Sequence, residues 1–366
     1  MRTRHSPRRR RNLTAALAAA LALAGVVTIA LRAGHQPARG TVTSAGQSSA
    51  TSSAPAPPVA STPRSHVARV PAPQLRPPYA VGLRIMRFVD TSRSIRLPDG
   101  SREARPLLTV VRYPATGRAA GGDVRGRPPA LAGGPYPLVV FGHGYAVTPT
   151  PYARLLRAWT RAGYVVAAPV FPLENAGAPG GPDETDLINQ PRDMSVVISR
   201  MLAANDAPAG ASEPLRGMID ARRIAVTGQS DGGETALAVA YDRYFRDPRV
   251  GAAAILSGAK IPAVGGFVFP AGSAPLLATQ GTVDTVNPPS FTHAFFDIAS
   301  PPKFLLTLPG ADHLPPYTDG QPQLGIVERV TTAFLDRYLK GDRRALRRMI
   351  AYGEVPGLAM LRADPG

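Results

Sequence analysis

Three side chains, Ser230, Asp284 and His313, have the types and the chain order needed for nucleophilic attack on a carbonyl carbon. Ser230 stands in Gly228-Gln229-Ser230-Asp231-Gly232-Gly233, after the apolar run Ile224 to Val226, which has the character of a buried strand. An Ala-rich segment with Leu237 and Tyr241 follows and reads as a helix. A serine hydroxyl is a weak nucleophile until an adjacent base takes its proton. A sharp strand-to-helix corner lifts its Oγ out of the sheet, and flanking glycines remove the Cβ atoms that would clash there. The corner also aims the Asp231 N–H and the positive end of the helix at the place where an oxyanion would form. The Asp231 side chain reads as a helix-start charge favoured by the dipole.

Six histidines narrow the choice of base. His5, His35 and His66 precede the folded part, His143 closes a strand, and His293 lies inside a helix with aromatic neighbours, which leaves His313. Asp284 is favoured over Asp312 as the orienting acid, because a carboxylate adjacent in sequence cannot readily turn onto Nδ1 of the same ring.

The elements that must position these residues alternate between strand and helix. Leu83 to Val89 and Leu107 to Tyr113 read as strands joined by a turn around Pro98-Asp99-Gly100. Buried strands follow at Tyr136 to Phe141, Tyr164 to Val170, Val250 to Leu256, Ala274 to Thr279 and Lys303 to Leu308. Tyr152, Leu155, Leu156 and Trp159 make one helix face, and Met194, Val197, Ile198, Met201 and Leu202 another. Further helices are expected at Ser290 to Ile298 and at about Gln323 to Leu339. The pattern predicts an α/β fold: a mostly parallel central sheet with an antiparallel N-terminal hairpin and helices on both faces. In such sheets ligands bind beyond the carboxyl ends of the strands, where Ser230, Asp284 and His313 all fall.

Four segments taken together resemble the α/β-hydrolase superfamily: Pro137 to Tyr145 (Pro-Leu-Val-Val-Phe-Gly-His-Gly-Tyr), Gly228 to Gly233, Gly281 to Asp284 and Gly310 to His313. Within it the chain is similar, over about residues 81–340, to bacterial esterases of the dienelactone hydrolase, platelet-activating-factor acetylhydrolase, chlorophyllase and cutinase kind. The resemblance implies Ser230 as nucleophile, His313 as base and Asp284 as acid, with the Tyr145 and Asp231 N–H groups forming the oxyanion hole and Tyr145 meeting the substrate. It implies hydrolysis of a carboxylic ester through an acyl-enzyme. The chain has no Cys for the disulfide usual in polyester-cleaving members, and a long Phe171–Gln190 loop lies beside the expected cleft. A small-molecule or lipid-like ester is therefore easier to fit than a polymer. Acyl transfer to another alcohol, or lipid or polyester cleavage, would use the same triad. The alternative from a different class is an envelope-binding protein whose site is impaired.

Charge and composition bound the rest. The 366 residues carry a net +17, of which residues 1–80 hold +11 through Arg alone, leaving +6 for residues 81–366. That residue is ordinary for a globular body and argues against nucleic-acid binding. Six Arg within the first 11 residues precede an uncharged apolar stretch from Asn12 to Leu31, so 1–32 reads as a signal peptide or signal-anchor. A location outside the cytoplasm follows, secreted or held to the membrane by that segment. Residues 33–80, rich in Pro, Ser and Ala, read as a disordered linker, and 341–366 as a basic tail. Without Cys there is no disulfide or thiolate zinc site, and neither metal-ligand spacing nor a phosphate-binding loop with Lys occurs, so no cofactor is expected.

Overall fold

The computed structural model describes residues 76–366 apart from 120, 209, 211 and 212. The export or anchor segment read at 1–32, and the linker read at 33–80 as far as residue 75, lie outside the described residues. Within them, parallel strands buried on both faces account for the apolar runs. These are β4 (Tyr136–Gly142), β5 (Val165–Pro169), β6 (Ile219–Gln229), β7 (Val250–Leu256), β8 (Leu276–Gly281) and β9 (Lys303–Leu308). The hairpin of β1 (Ala80–Arg96) and β2 (Arg102–Ala115) joins β5 antiparallel, β3 (Val124–Arg125) pairs with β1, and β10 (Met360–Asp364) pairs antiparallel with β9. The order across the sheet is β10-β9-β8-β7-β6-β4-β5-β2-β1-β3.

Because successive side chains on a strand point to opposite faces, β4 sends Leu138 and Val140 into one core layer and Val139 and Phe141 into the other. The first layer is closed by α2 (Gln190–Asn205), α3 (Asp231–Tyr241) and α4 (Pro289–Phe296), through Met194, Ile198, Leu237 and Phe295. The second is closed by α1 (Ala153–Arg161), α6 (Gln323–Tyr338) and α7 (Ala345–Gly353), through Trp159, Val330, Phe334 and Met349. Trp159 is fully buried, and its indole N–H is satisfied by Thr331 Oγ1 at 2.9 Å, which ties α1 to α6. A short helix, α5 (Pro315–Thr318), precedes α6.

The segment 341–366 is not a tail. Its Arg-rich part forms α7, with Ala345, Met349 and Gly353 buried, and its end is the edge strand β10. The arginines on α7 masked its apolar stripe, and five residues are too few for strand periodicity to register. Among the described residues no helix is long and apolar enough to cross a membrane.

Register aligns the carboxyl ends of the central strands. Gly142 pairs with Gly228, Gln229 with Leu256, and Gly281 with Leu308, so the segments leaving β4, β6, β8 and β9 emerge at one edge of the sheet.

Candidate active site

At that edge β6 turns directly into α3, and the turning residue is Ser230, with φ 57° and ψ −125°. This is a conformation that a residue with a Cβ seldom adopts, and it is held by the packing around it. The packing is backbone against backbone. A Cβ on Gly228 would lie 2.1 Å from the Gly232 carbonyl oxygen, and one on Gly232 would lie 2.1 Å from that of Gly142. The glycines thus let β4, the serine turn and α3 approach more closely than any side chain permits. Asp231 stands in the first turn of α3, as expected of a helix-start charge, and is buried there.

The three residues singled out in the sequence meet here. His313 Nε2 lies 2.8 Å from Ser230 Oγ, and His313 Nδ1 lies 2.8 Å from Asp284 Oδ2. Asp284 is fixed in turn: its Oδ1 accepts the Val286 and Asn287 N–H groups at 3.0 and 2.9 Å, and Gln280 Nε2 donates to Oδ2 at 3.3 Å. A carboxylate so held imposes the tautomer with hydrogen on Nδ1, which makes Nε2 an acceptor for the serine at 2.8 Å, with Gln229 Nε2 as a second neighbour at 3.1 Å. Asp312 accepts the His313 backbone N–H at 2.7 Å, and so orients the loop without facing the ring. His293 pairs with Asp297 on the exposed side of α4. Gln229, next to the nucleophile, donates from Nε2 to the His313 carbonyl at 3.1 Å and accepts the Tyr152 hydroxyl at 2.7 Å.

Opposite Ser230 runs the turn after β4. Gly144 packs so tightly that a Cβ there would come within 3.1 Å of Ser230 Cβ. His143 controls this turn from beneath: it is wholly buried, its Nε2 accepts the Phe171 N–H at 3.0 Å, and its Nδ1 lies 2.8 Å from the Gly144 carbonyl oxygen. An Nε2 that accepts requires hydrogen on Nδ1, so His143 is neutral and donates to Gly144. Burial agrees, lowering its pKa to about 4. In a trans peptide C=O and N–H point opposite ways, so fixing the Gly144 carbonyl also fixes the direction of the Tyr145 N–H. The Tyr145 hydroxyl donates to the Pro182 carbonyl at 3.0 Å, which links the turn to the 171–190 loop.

Sequence reasoning missed Glu174, which lies within that loop and is completely buried. Its backbone carbonyl accepts the Ala146 N–H at 2.9 Å, and its Oε2 accepts from Gln190 Nε2, whose own Oε1 accepts the Thr235 hydroxyl. Its carboxyl also touches that of Asp231, and burial followed by the Asp231 charge pushes Glu174 up to about 11. Burial and Glu184 raise Asp231 to about 6. A Gly/Pro/Asn loop has no periodicity that could have marked Glu174 as interior. Among the described residues no group of three or more His, Asp or Glu could hold a metal ion.

A family model described as Chlorophyllase matches residues 128–265, which include the Tyr145 turn and Ser230 but end before Asp284 and His313. No curated protein matches the sequence. Among solved structures, the ferulic acid esterase from Streptomyces cinnamoneus is similar, with a TM-score of 0.54 and 23% identity over 74% of this chain and 93% of that one. The likeness is one of fold, and with the mixed ten-stranded sheet and its two helical layers it shows that the chain has the α/β-hydrolase fold.

Proposed function

We propose that this α/β-hydrolase-fold protein is a serine hydrolase that cleaves carboxylic esters through an acyl-enzyme. The observation that carries the reading is the continuous chain Ser230 Oγ, His313 Nε2, His313 Nδ1, Asp284 Oδ2, each contact at 2.8 Å, on a strained turn at the ligand-binding edge of the sheet. His313 takes the Ser230 proton as Oγ attacks the ester carbonyl, and Asp284 stabilises the imidazolium so formed. The Asp231 and Tyr145 N–H groups receive the oxyanion, the latter aimed by His143. His313 then gives its proton to the departing alcohol, and water repeats the sequence to release the acid.

The similar solved structure is named as an esterase, which supports an ester over an amide. The tie from Tyr145 to Pro182 holds the 171–190 loop beside the nucleophile, which favours a small or lipid-like ester over a polymer chain. The Arg-rich start and the uncharged stretch 12–31 place the activity outside the cytoplasm in this reading, with the protein held at the membrane if the segment is retained.

Ser230→Ala should lower kcat on a short p-nitrophenyl acyl ester by on the order of 10⁶ where chemistry limits the rate, with the circular dichroism spectrum unchanged. Turnover that survives the substitution would remove Ser230 from the mechanism. Labelling of the unsubstituted protein by a fluorophosphonate separates an active hydrolase from a binding protein with an impaired site.

A further inference from the structure

The two halves of the oxyanion hole come from different parts of the chain: the Tyr145 N–H from the turn after β4, and the Asp231 N–H from the first residue of α3. Glu174 touches both. Its backbone carbonyl holds the Ala146 N–H, one residue beyond Tyr145, while its side chain lies against the Asp231 carboxyl. The polar atoms left over at this junction identify what joins the two carboxyls. Glu174 Oε2 is taken by Gln190, and the two buried oxygens without a donor are Glu174 Oε1 and Asp231 Oδ2. Two buried carboxylates in contact, each with an oxygen lacking a donor, are satisfied together by a single proton.

We infer that Glu174 is a positioning residue for the oxyanion hole, and that it acts by donating a proton from Oε1 to Asp231 Oδ2, so that the two carboxyls share one hydrogen and clamp the β4 turn to the start of α3. This rests on the reading of Ser230 as the nucleophile.

The surrounding charges favour retention of that proton. Glu184 faces both carboxyls, and Asp186 faces Glu174 from the same loop. Asp183 faces Tyr145, and Glu234 lies one turn further along α3. The cation Arg105 on β2 is committed to Asp186 and Asp193, and Arg93 on β1 to Asp90 and Asp193. His313 faces Asp231 across the nucleophile, and the phenols of Tyr145 and Tyr152 complete the surroundings, both raised by burial. The clamp is therefore present at neutral pH, where the pair holds one proton, and is lost in alkali, where both carboxyls ionise and repel. In the unfolded chain Glu174 ionises near its ordinary 4.5. The folded state thus binds the extra proton throughout the interval between that value and its own, and stability falls as pH rises across it.

Glutamine reproduces the neutral carboxyl, with an oxygen for Gln190 and an N–H for Asp231, but cannot lose a proton. Glu174→Ala should lower kcat by on the order of 10² through a misplaced oxyanion hole, with KM changed much less. Glu174→Gln should recover most of that loss at neutral pH and should keep its activity further into alkali than the unsubstituted enzyme. In a Ser230→Ala background, which has no turnover to measure, Glu174→Gln should flatten the fall of Tm between about pH 6 and about pH 10. Superimposable alkaline limbs and superimposable Tm profiles, with and without Glu174→Gln, would overturn the inference even if Glu174→Ala fails to fold. Failure of the functional reading itself would show separately, as turnover that does not depend on Ser230.

Discussion

Gly232 shows at the scale of one residue how little freedom the site has. Its missing Cβ leaves room for two backbone oxygens of the neighbouring turn, Gly142 O at 2.1 Å and His143 O at 2.6 Å from where the atom would stand. Neither can swing aside as a side chain would, so Gly232→Ala must push the turn bearing Tyr145 away from the start of α3. We expect a loss of kcat on the order of 10² together with a lower Tm. Gly265→Ala, which meets nothing within 4 Å, is the control and should change neither. Wild-type turnover in Gly232→Ala would mean that the turn and the serine corner are not coupled. The glycines, Ser230, Asp284 and His313 were legible in the sequence because each follows directly on an apolar strand run, and strand ends are fixed by periodicity. Glu174 and Gln190 were not, since what makes them interior is contact with Asp231 and Thr235, distant in the chain and unmarked by spacing.

At the scale of an element, the 171–190 loop is anchored at its far end by charge instead of apolar packing. Arg105 of β2 is almost fully buried and forks onto two carboxylates, Asp186 at 2.9 and 2.5 Å and Asp193 at 2.7 and 2.6 Å. Arg93 adds a contact to Asp193 at 2.6 Å and to the Asn189 carbonyl at 3.1 Å. Burial pushes the Asp193 carboxyl upward even against the pull of Arg105 and Arg93. Arg105→Met keeps much of the volume but leaves the buried Asp186 carboxylate without a cation and Asp193 with Arg93 alone, which should cost about 3–5 kcal/mol at neutral pH. Without the guanidinium, burial acts on Asp193 with less opposition, so its carboxyl holds its proton to higher pH in the folded state than in the unfolded one; acid then relieves the variant and the deficit narrows as pH is lowered. Urea unfolding of both proteins at neutral and acid pH measures this, and a deficit independent of pH would show that lost packing dominates. The hairpin, the parallel strands and the long helices could be read from periodicity. This anchor could not, because charged residues in a strand and in a loop look alike whether solvated or paired across the fold.

At the scale of the whole molecule, the sheet is finished by the last residues of the chain. β10 covers the outer edge of β9 through five paired residues, from Met360 opposite Thr307 to Asp364 opposite Lys303. Between α6 and β10, α7 buries Met349, and its end packs on Leu361 so closely that a Cβ on Gly353 would lie 2.6 Å from Leu361 Cβ. Arg348, read in the sequence as part of a basic tail, bridges Asp336 and Asp342 at 3.2 and 2.9 Å. Ending the chain after Lys340 would uncover the β9 edge and the apolar surface that Met349 and Leu361 cover, and would lose the burial of those two side chains, each worth about 1.5–3 kcal/mol. The total, about 3–6 kcal/mol, corresponds to a fall in Tm of roughly 5–10 °C for a domain of about 290 residues. An unpaired edge strand is also a template for association, so the truncated protein should aggregate on warming. Because β9 leads directly into the loop that carries His313, turnover should fall at temperatures below the unfolding transition as that loop loosens. Thermal scans and rates measured side by side on the full chain and on residues 1–340 decide the matter: a truncated protein with the same Tm and the same kcat would show that 341–366 does not support the fold.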